Sequence, residues 1–164
     1  SDSNAIDRTE GFHSIADDMK NWKIVQIETD WNTEKALTGL QNALVANPDV
    51  WGIYSASSHM DGSVETALKE VNKWHKVGEE GHVNFVSLGG ETPGPQICVD
   101  GYTDKMVVIR FDEMGAEVYN ALVKIFNGEE LENTKYEVST IVYDRESLIE
   151  DMDNLYFKDF VKLP

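Results

Sequence analysis

Four short stretches of this chain gather the residue types that could do chemistry: Asp30-Trp31-Asn32, Ser57-Ser58-His59, Gly89-Gly90-Glu91 and Arg110-Phe111-Asp112. Together they offer an aromatic face, hydroxyls, a carboxylate and a guanidinium. That set suits a small polar ligand better than an apolar one, because each polar group can exchange hydrogen bonds with a solute's own. Other chemistries lack their residues. No G-x-G-x-x-G or P-loop is present to cradle a phosphate, and Gly89-Gly90 does not amount to one. No Ser–His–acid or paired-carboxylate arrangement follows from spacing. His13, His75 and His82 show no metal-ligand spacing, and His59 reads as a helix-start residue. Binding without catalysis is therefore expected, with no metal and no cofactor.

The flanking elements must deliver these stretches to one place. Trp22–Thr29 is a β-rich run leading into Asp30-Trp31-Asn32. Ala36, Leu37, Leu40, Ala43 and Leu44 recur at three- and four-residue spacing, the mark of one helical face. Asn47-Pro48-Asp49 stops that helix, since the residue before a proline is pushed out of the α region. Val50–Ser55 is the next apolar run, so Trp22–Ser58 reads as a β–α–β unit. A helix is expected before it, over Asn4–Met19, with Phe12, Ile15, Ala16 and Met19 on one face and Ser3 or Asn4 as the cap. Beyond it come a helix marked by Met60, Val64, Leu68 and Val71, a strand over Val83–Leu88, a short helix over Pro95–Val99 and a strand over Met106–Ile109. Met114, Val118, Ala121, Leu122 and Ile125 then mark a long helix with Asn127-Gly128 as its stop. Lys135–Tyr143 is expected as a last strand, Arg145–Met152 as a short helix and Leu155–Phe160 as an aromatic tail. Alternating strands and helices imply an α/β fold, a doubly wound parallel sheet, whose ligands bind beyond the carboxyl ends of the strands. All four stretches fall there.

Composition narrows the partners. The chain has 164 residues, 41% of them hydrophobic, enough for one globular core. With 30 acidic against 14 basic residues its net charge is −16, which disfavours nucleic acid and anionic membrane. The single cysteine, Cys98, excludes an internal disulfide and is expected as a buried small hydrophobe. No run approaches the roughly 18 apolar residues of a membrane span, and the start lacks the shape of a signal peptide.

Arg8-Thr-Glu-Gly-Phe12, Asp30-Trp31 and Asn42-Ala-Leu-Val-Ala-Asn-Pro-Asp-Val-Trp-Gly-Ile53 carry a resemblance. With Met60, Val64–Leu68, Val83–Leu88 before a glycine turn and Asn127-Gly128, the chain resembles the C-terminal lobe of type I periplasmic sugar-binding proteins. These are the ribose- and galactose-type solute-binding proteins of ABC transporters. The resemblance runs from about Asn4 to Tyr143. It implies that Trp31 stacks on the solute and that Arg8 donates a fork of hydrogen bonds to its hydroxyls. Three positions depart from the family. Ser57-Ser58 replaces its Asn-Asp pair, Gly89 replaces an aspartate with Glu91 two residues on, and Ile109 replaces an amide with Arg110 adjacent. The candidate ligand-binding residues are therefore Trp31, Arg8, Ser57, Ser58, Gly89, Glu91 and Arg110. Each has a plain structural alternative: Arg8 pairing with Asp7 or Glu10, the serines capping a helix, Glu91 lying in solvent, Arg110 forming an interlobe ion pair.

The resemblance also implies an organisation. Residues 1–110 would be the C-terminal lobe, its first strand missing from this chain. Residues 111–135 would hold a helix that packs on an absent N-terminal lobe, and 136–164 the return strand and tail. The expected protein is an extracytoplasmic, two-lobed solute-binding protein, periplasmic or a surface lipoprotein. It would close by a hinge on a sugar-like solute and deliver it to an ABC transporter permease. The alternative is the effector-binding core of a LacI-type repressor, which shares the motifs.

Overall fold

The computed structural model describes residues 2–131 and 137–164. The first helix, α1 (Ser3–Ala16), is capped by the Asp2 carboxylate, which accepts from the Asn4 N–H at 3.0 Å. The cap thus lies before both expected residues, Ser3 and Asn4. Only Ala16 of the expected apolar face is buried, and Ile15 and Met19 are exposed.

Trp22–Thr29 runs without any ladder, which corrects the expected first strand and leaves the β–α–β unit unclosed. A strand exists only through a neighbour's backbone, and no described strand reaches this one. Side chains hold it instead. Trp22 meets Trp51 edge-on at 4.7 Å, and Lys23 Nζ donates to Asn47 Oδ1 at 2.7 Å. Helix α2 (Thr33–Ala46) follows, with the Asn32 side chain accepting from the Lys35 N–H, and ends at Asn47 as expected.

The sheet has the order β1 (Gly52–Ser55), β2 (Asn84–Gly89), β3 (Lys105–Ile109), β4 (Thr140–Tyr143). A single 3-10 turn, Ser58–Met60, leads into α3 (Asp61–Glu70), and α4 (Gly94–Val99) joins β2 to β3. The first three strands are parallel, but β4 is antiparallel to β3. The departure from an all-parallel sheet has a local cause. Helix α5 (Phe111–Phe126) leaves from the end of β3, and the chain returns to that same end, where the Arg110 N–H donates to the Ser139 carbonyl at 3.2 Å. Of the last expected strand, Lys135 and Tyr136 lie outside the described residues.

The register aligns Ile53 with Phe85, Ser87 with Met106 and Met106 with Tyr143, so the buried side chains share one face. Leu44, Val64, Ala67, Leu68, Val83, Phe85 and Ile97 fill it beneath α2 and α3. Cys98, Val99, Met106, Val108, Tyr143, Leu148, Met152, Leu155 and Phe157 continue it beneath α4, α6 (Arg145–Glu150) and the tail. Burying roughly 1.5–3 kcal/mol worth of apolar surface per large side chain makes this face the main source of stability. The opposite face is thinly covered. Phe12 of α1 stacks on Tyr54 at 4.9 Å, while Val142 is 60% exposed. Helix α5 buries no residue, and Val118, Leu122, Ile125 and Phe126 all face outward.

Candidate functional site at the strand ends

Parallel strands deliver the loops after β1 and β2 to one end of the sheet, and there most of the candidate residues meet. Ser58, buried at the start of the 3-10 turn, is the organiser. Its hydroxyl accepts from the Gly90 N–H at 2.9 Å and the Glu91 N–H at 2.8 Å, and donates to Glu91 Oε2 at 2.6 Å. Having two acceptor lone pairs and one proton, the hydroxyl is fully used. It ties the loop after β2 to the loop after β1, and it fixes one oxygen of a half-buried carboxylate.

The glycine turn exists to make room for that carboxylate. Gly89 has φ +142°, and a Cβ there would lie 2.0 Å from Glu91 Oε2 and 2.6 Å from Ser58 Oγ. The Glu91 carboxylate therefore occupies the space in which a side chain at position 89 would begin. At Gly90, φ +128°, a Cβ would lie 2.1 Å from the Tyr156 hydroxyl. Glycine is required at both positions for backbone and for space. Gly89 serves the site by its lack of a side chain.

Arg8 and Trp31 form a second group. Arg8 Nη1 donates to the Ala56 carbonyl at 2.7 Å, and its guanidinium sits 5.2 Å from the Trp31 ring centroid. A cation over an indole face is favourable by about 0.5–2 kcal/mol. The indole N–H donates to Asp2 Oδ2 at 2.8 Å, and the Asn4 N–H first, then this bond, hold the Asp2 carboxyl below the usual carboxylate range. Asp30 and Trp31 have φ of +49° and +57°. Left-handed backbone at a bulky aromatic costs roughly 1–3 kcal/mol and is characteristic of ligand-clamping loops.

His59 joins the two groups, a role not foreseen for a helix-start residue. Its Nε2 lies 3.1 Å from the Trp31 carbonyl and its Nδ1 2.9 Å from Ser57 Oγ. A carbonyl can only accept, so Nε2 carries the proton, and in the neutral ring Nδ1 accepts from Ser57. Arg8, Trp31, Ser57, Ser58, Gly89 and Glu91 are thus linked through Ala56 and His59 into one cluster.

Arg110 stands apart. Its Nε and Nη2 donate to both oxygens of Asp112, at 2.8 and 2.5 Å, and Nη1 lies 3.3 Å from Glu113. The Arg110 hydrogen bond, and then its charge, hold the Asp112 carboxyl below its usual range. A guanidinium committed to two acids of its own helix is an α5 start clamp, and no described contact joins it to the Ser58–Glu91 group.

Two groups that patterning did not single out lie beneath this cluster. Asp61 is fully buried. Its Oδ2 accepts from Ser87 Oγ at 2.5 Å, and its Oδ1 has no partner among the described residues. Burial pushes its carboxyl up to about 7, against the Ser87 hydrogen bond and with some help from the Glu91 charge. Tyr156 reaches the Gly90 backbone from the C-terminal tail. No spacing rule points at either residue. Among the described residues no three His, Cys, Asp or Glu side chains are grouped to hold a metal ion. No described helix is long and apolar enough to cross a membrane.

Over 74 residues the chain is 34% identical to the D-apiose import binding protein of Actinobacillus succinogenes, covering 44% of this chain and 24% of that one. Over 136 residues it is 26% identical to the ribose import binding protein of Salmonella typhimurium, covering 83% of this chain and 43% of that one. The fold superposes with a TM-score of 0.74 on an ABC transporter solute-binding protein from Agrobacterium vitis with bound D-fucose. That match is at 21% identity and covers 86% of this chain and 47% of that one. The chain therefore spans less than half the length of each of these relatives, which are transport binding proteins and not enzymes. A family profile described as the periplasmic binding protein domain matches residues 1–130, and the chain belongs to that family.

Proposed function

We propose that the chain is the C-terminal lobe of an extracytoplasmic solute-binding protein that captures a sugar or a similar polyhydroxy solute for an ABC transporter permease. One observation carries this most directly. The Ser58-anchored Glu91 carboxylate and the Arg8–Trp31 platform are linked at the same end of the sheet, where solutes bind in α/β folds. Glu91 Oε2 is held by Ser58, which leaves Oε1 to accept from solute hydroxyls. The indole supplies an apolar plate for the C–H face of a ring, and Arg8 supplies donors. Sugar import by the relatives favours this over the effector core of a LacI-type repressor. Arg110 is not given a solute contact, because Asp112 and Glu113 already engage it.

The exposed apolar stripe of α5 is where an N-terminal lobe would pack, and hinge closure of the two lobes would cover the solute. The permease would then read the closed form. Attachment as a lipoprotein is a separate part of the proposal, read out by the mass of the mature N-terminus. The test of function is isothermal titration of the full-length protein with D-ribose, D-apiose and D-fucose. One of these is expected to bind, and Trp31→Ala is expected to weaken it at least tenfold, about 1.4 kcal/mol. Unchanged affinity in Trp31→Ala would remove the stacking role, and no binding of any sugar would remove the substrate class.

A further inference from the structure

The C-terminal tail contributes to the strand-end site in a way the family resemblance does not cover. Leu155 and Phe157 are buried in the core, and Gln96 fixes the tail by accepting from the Lys162 N–H at 2.8 Å. Between Leu155 and Phe157, Tyr156 is partly buried against the same core. Its ring packs edge-on against Phe111 at 5.6 Å and Phe157 at 5.0 Å, and its hydroxyl fills the space a Gly90 side chain would take. That hydroxyl is wholly enclosed and has no hydrogen-bond partner among the described residues. A buried polar group without a partner is destabilising, so its retention calls for a state in which it is paired.

The candidate partner is beside it. Glu91 follows Gly90 directly, and burial first, then the charges of Glu91 and Asp112, push the Tyr156 phenol above its usual range. Asp112 is already held bidentately by Arg110, whereas Glu91 has one oxygen on Ser58 and, among the described residues, no hydrogen bond through Oε1. We propose that Tyr156 is a positioning residue of the solute site, its hydroxyl being the second donor to the Glu91 carboxylate, engaged when solute binds. Ser58 and Tyr156 then grip the acid from opposite sides of the Gly89-Gly90 turn. A doubly held carboxylate presents its remaining lone pairs in one direction, which favours a solute with hydroxyls on one edge. The inference rests on the proposed place of Glu91 in the solute site.

The test is a double-substitution cycle in the full-length protein, titrated with D-ribose, D-apiose and D-fucose. Tyr156→Phe is expected to melt at or above the wild-type temperature without sugar, because it removes an unpaired hydroxyl, yet to bind about tenfold more weakly, as loss of a hydrogen bond to a charged group would give. In a Glu91→Gln background, itself weakened, the same substitution is expected to add less than twofold. Full additivity, or unchanged affinity in Tyr156→Phe while Glu91→Gln is weakened, overturns the Tyr156 role and leaves the proposed function standing. A lower melting temperature of sugar-free Tyr156→Phe also overturns it, since the hydroxyl would then be paired already. If Glu91→Gln binds normally, or the wild type binds none of the sugars, the place of Glu91 falls and the inference falls with it.

Discussion

Asp61→Asn tests how the centre of the site is built. The Asp61 side chain is fully buried, only one of its oxygens has a partner among the described residues, and burial raises its carboxyl from 3.8 to about 7. The sign follows from proton counts. Between pH 4 and 7 the folded chain keeps this proton and the unfolded chain has released it, so the folded state binds more protons and stability falls as pH rises. A shift of about 3 pH units at 1.36 kcal/mol each gives a loss of about 4 kcal/mol, complete above pH 7. Asparagine cannot titrate and keeps an oxygen for Ser87, although its amide nitrogen inherits the position without a partner, at about 1–3 kcal/mol. Urea unfolding of wild type and variant from pH 4.5 to 8.5 reads the difference. Groups such as Asp112 and Asp144, lowered in the fold, and His13, raised, contribute equally to both curves and cancel. The variant is expected to start less stable in acid and to gain about 3 kcal/mol on the wild type between pH 4.5 and 8, with about 1 kcal/mol of the loss lying below that range. A difference that stays constant across the range would refute the buried, protonated Asp61.

Two further outcomes are expected. Gly89→Ala must push the Glu91 carboxylate off Ser58 and hold alanine at φ +142°, so it should cost about 1–3 kcal/mol in urea unfolding and weaken sugar binding; equal stability and affinity would show that Glu91 is not held there. Cys98 is fully buried and its thiol is pushed up to about 12, chiefly by burial, so a thiol reagent at pH 8 should modify it only after denaturation; rapid labelling of the folded protein would contradict that packing.

The acid at the end of β2 shows how far a family pattern can be carried. The resemblance implies an aspartate where this chain has Gly89, which reads as a lost polar anchor. The fold returns a carboxylate to that space from two residues along, because Gly89 leaves the volume empty and Ser58 supplies a proton to hold it. Position in sequence and position in space diverge here because a glutamate is long enough to fold back over a glycine turn. The serines that replace the family's Asn-Asp pair have likewise become internal ties: Ser58 binds its neighbours' amides and Ser57 orients His59.

The sequence by itself determined the helices, because three- and four-residue apolar spacing and local stops such as Asn47-Pro48 and Asn127-Gly128 act within a single element. It determined β1, β2 and β3 as short apolar runs, and with them the end of the sheet where Trp31, Ser57, Ser58 and Glu91 gather. Pairing was decided elsewhere. Trp22–Thr29 has the composition of a strand but no described strand to pair with, and β4 runs antiparallel because the chain after α5 returns to the end it left. Only the tertiary structure turned Arg110 onto Asp112, brought His59 between Trp31 and Ser57, and set Tyr156 and Asp61 beneath the glycine turn. Those contacts join residues that local patterns cannot relate, since their partners are fixed by where the strands pack and not by spacing along the chain.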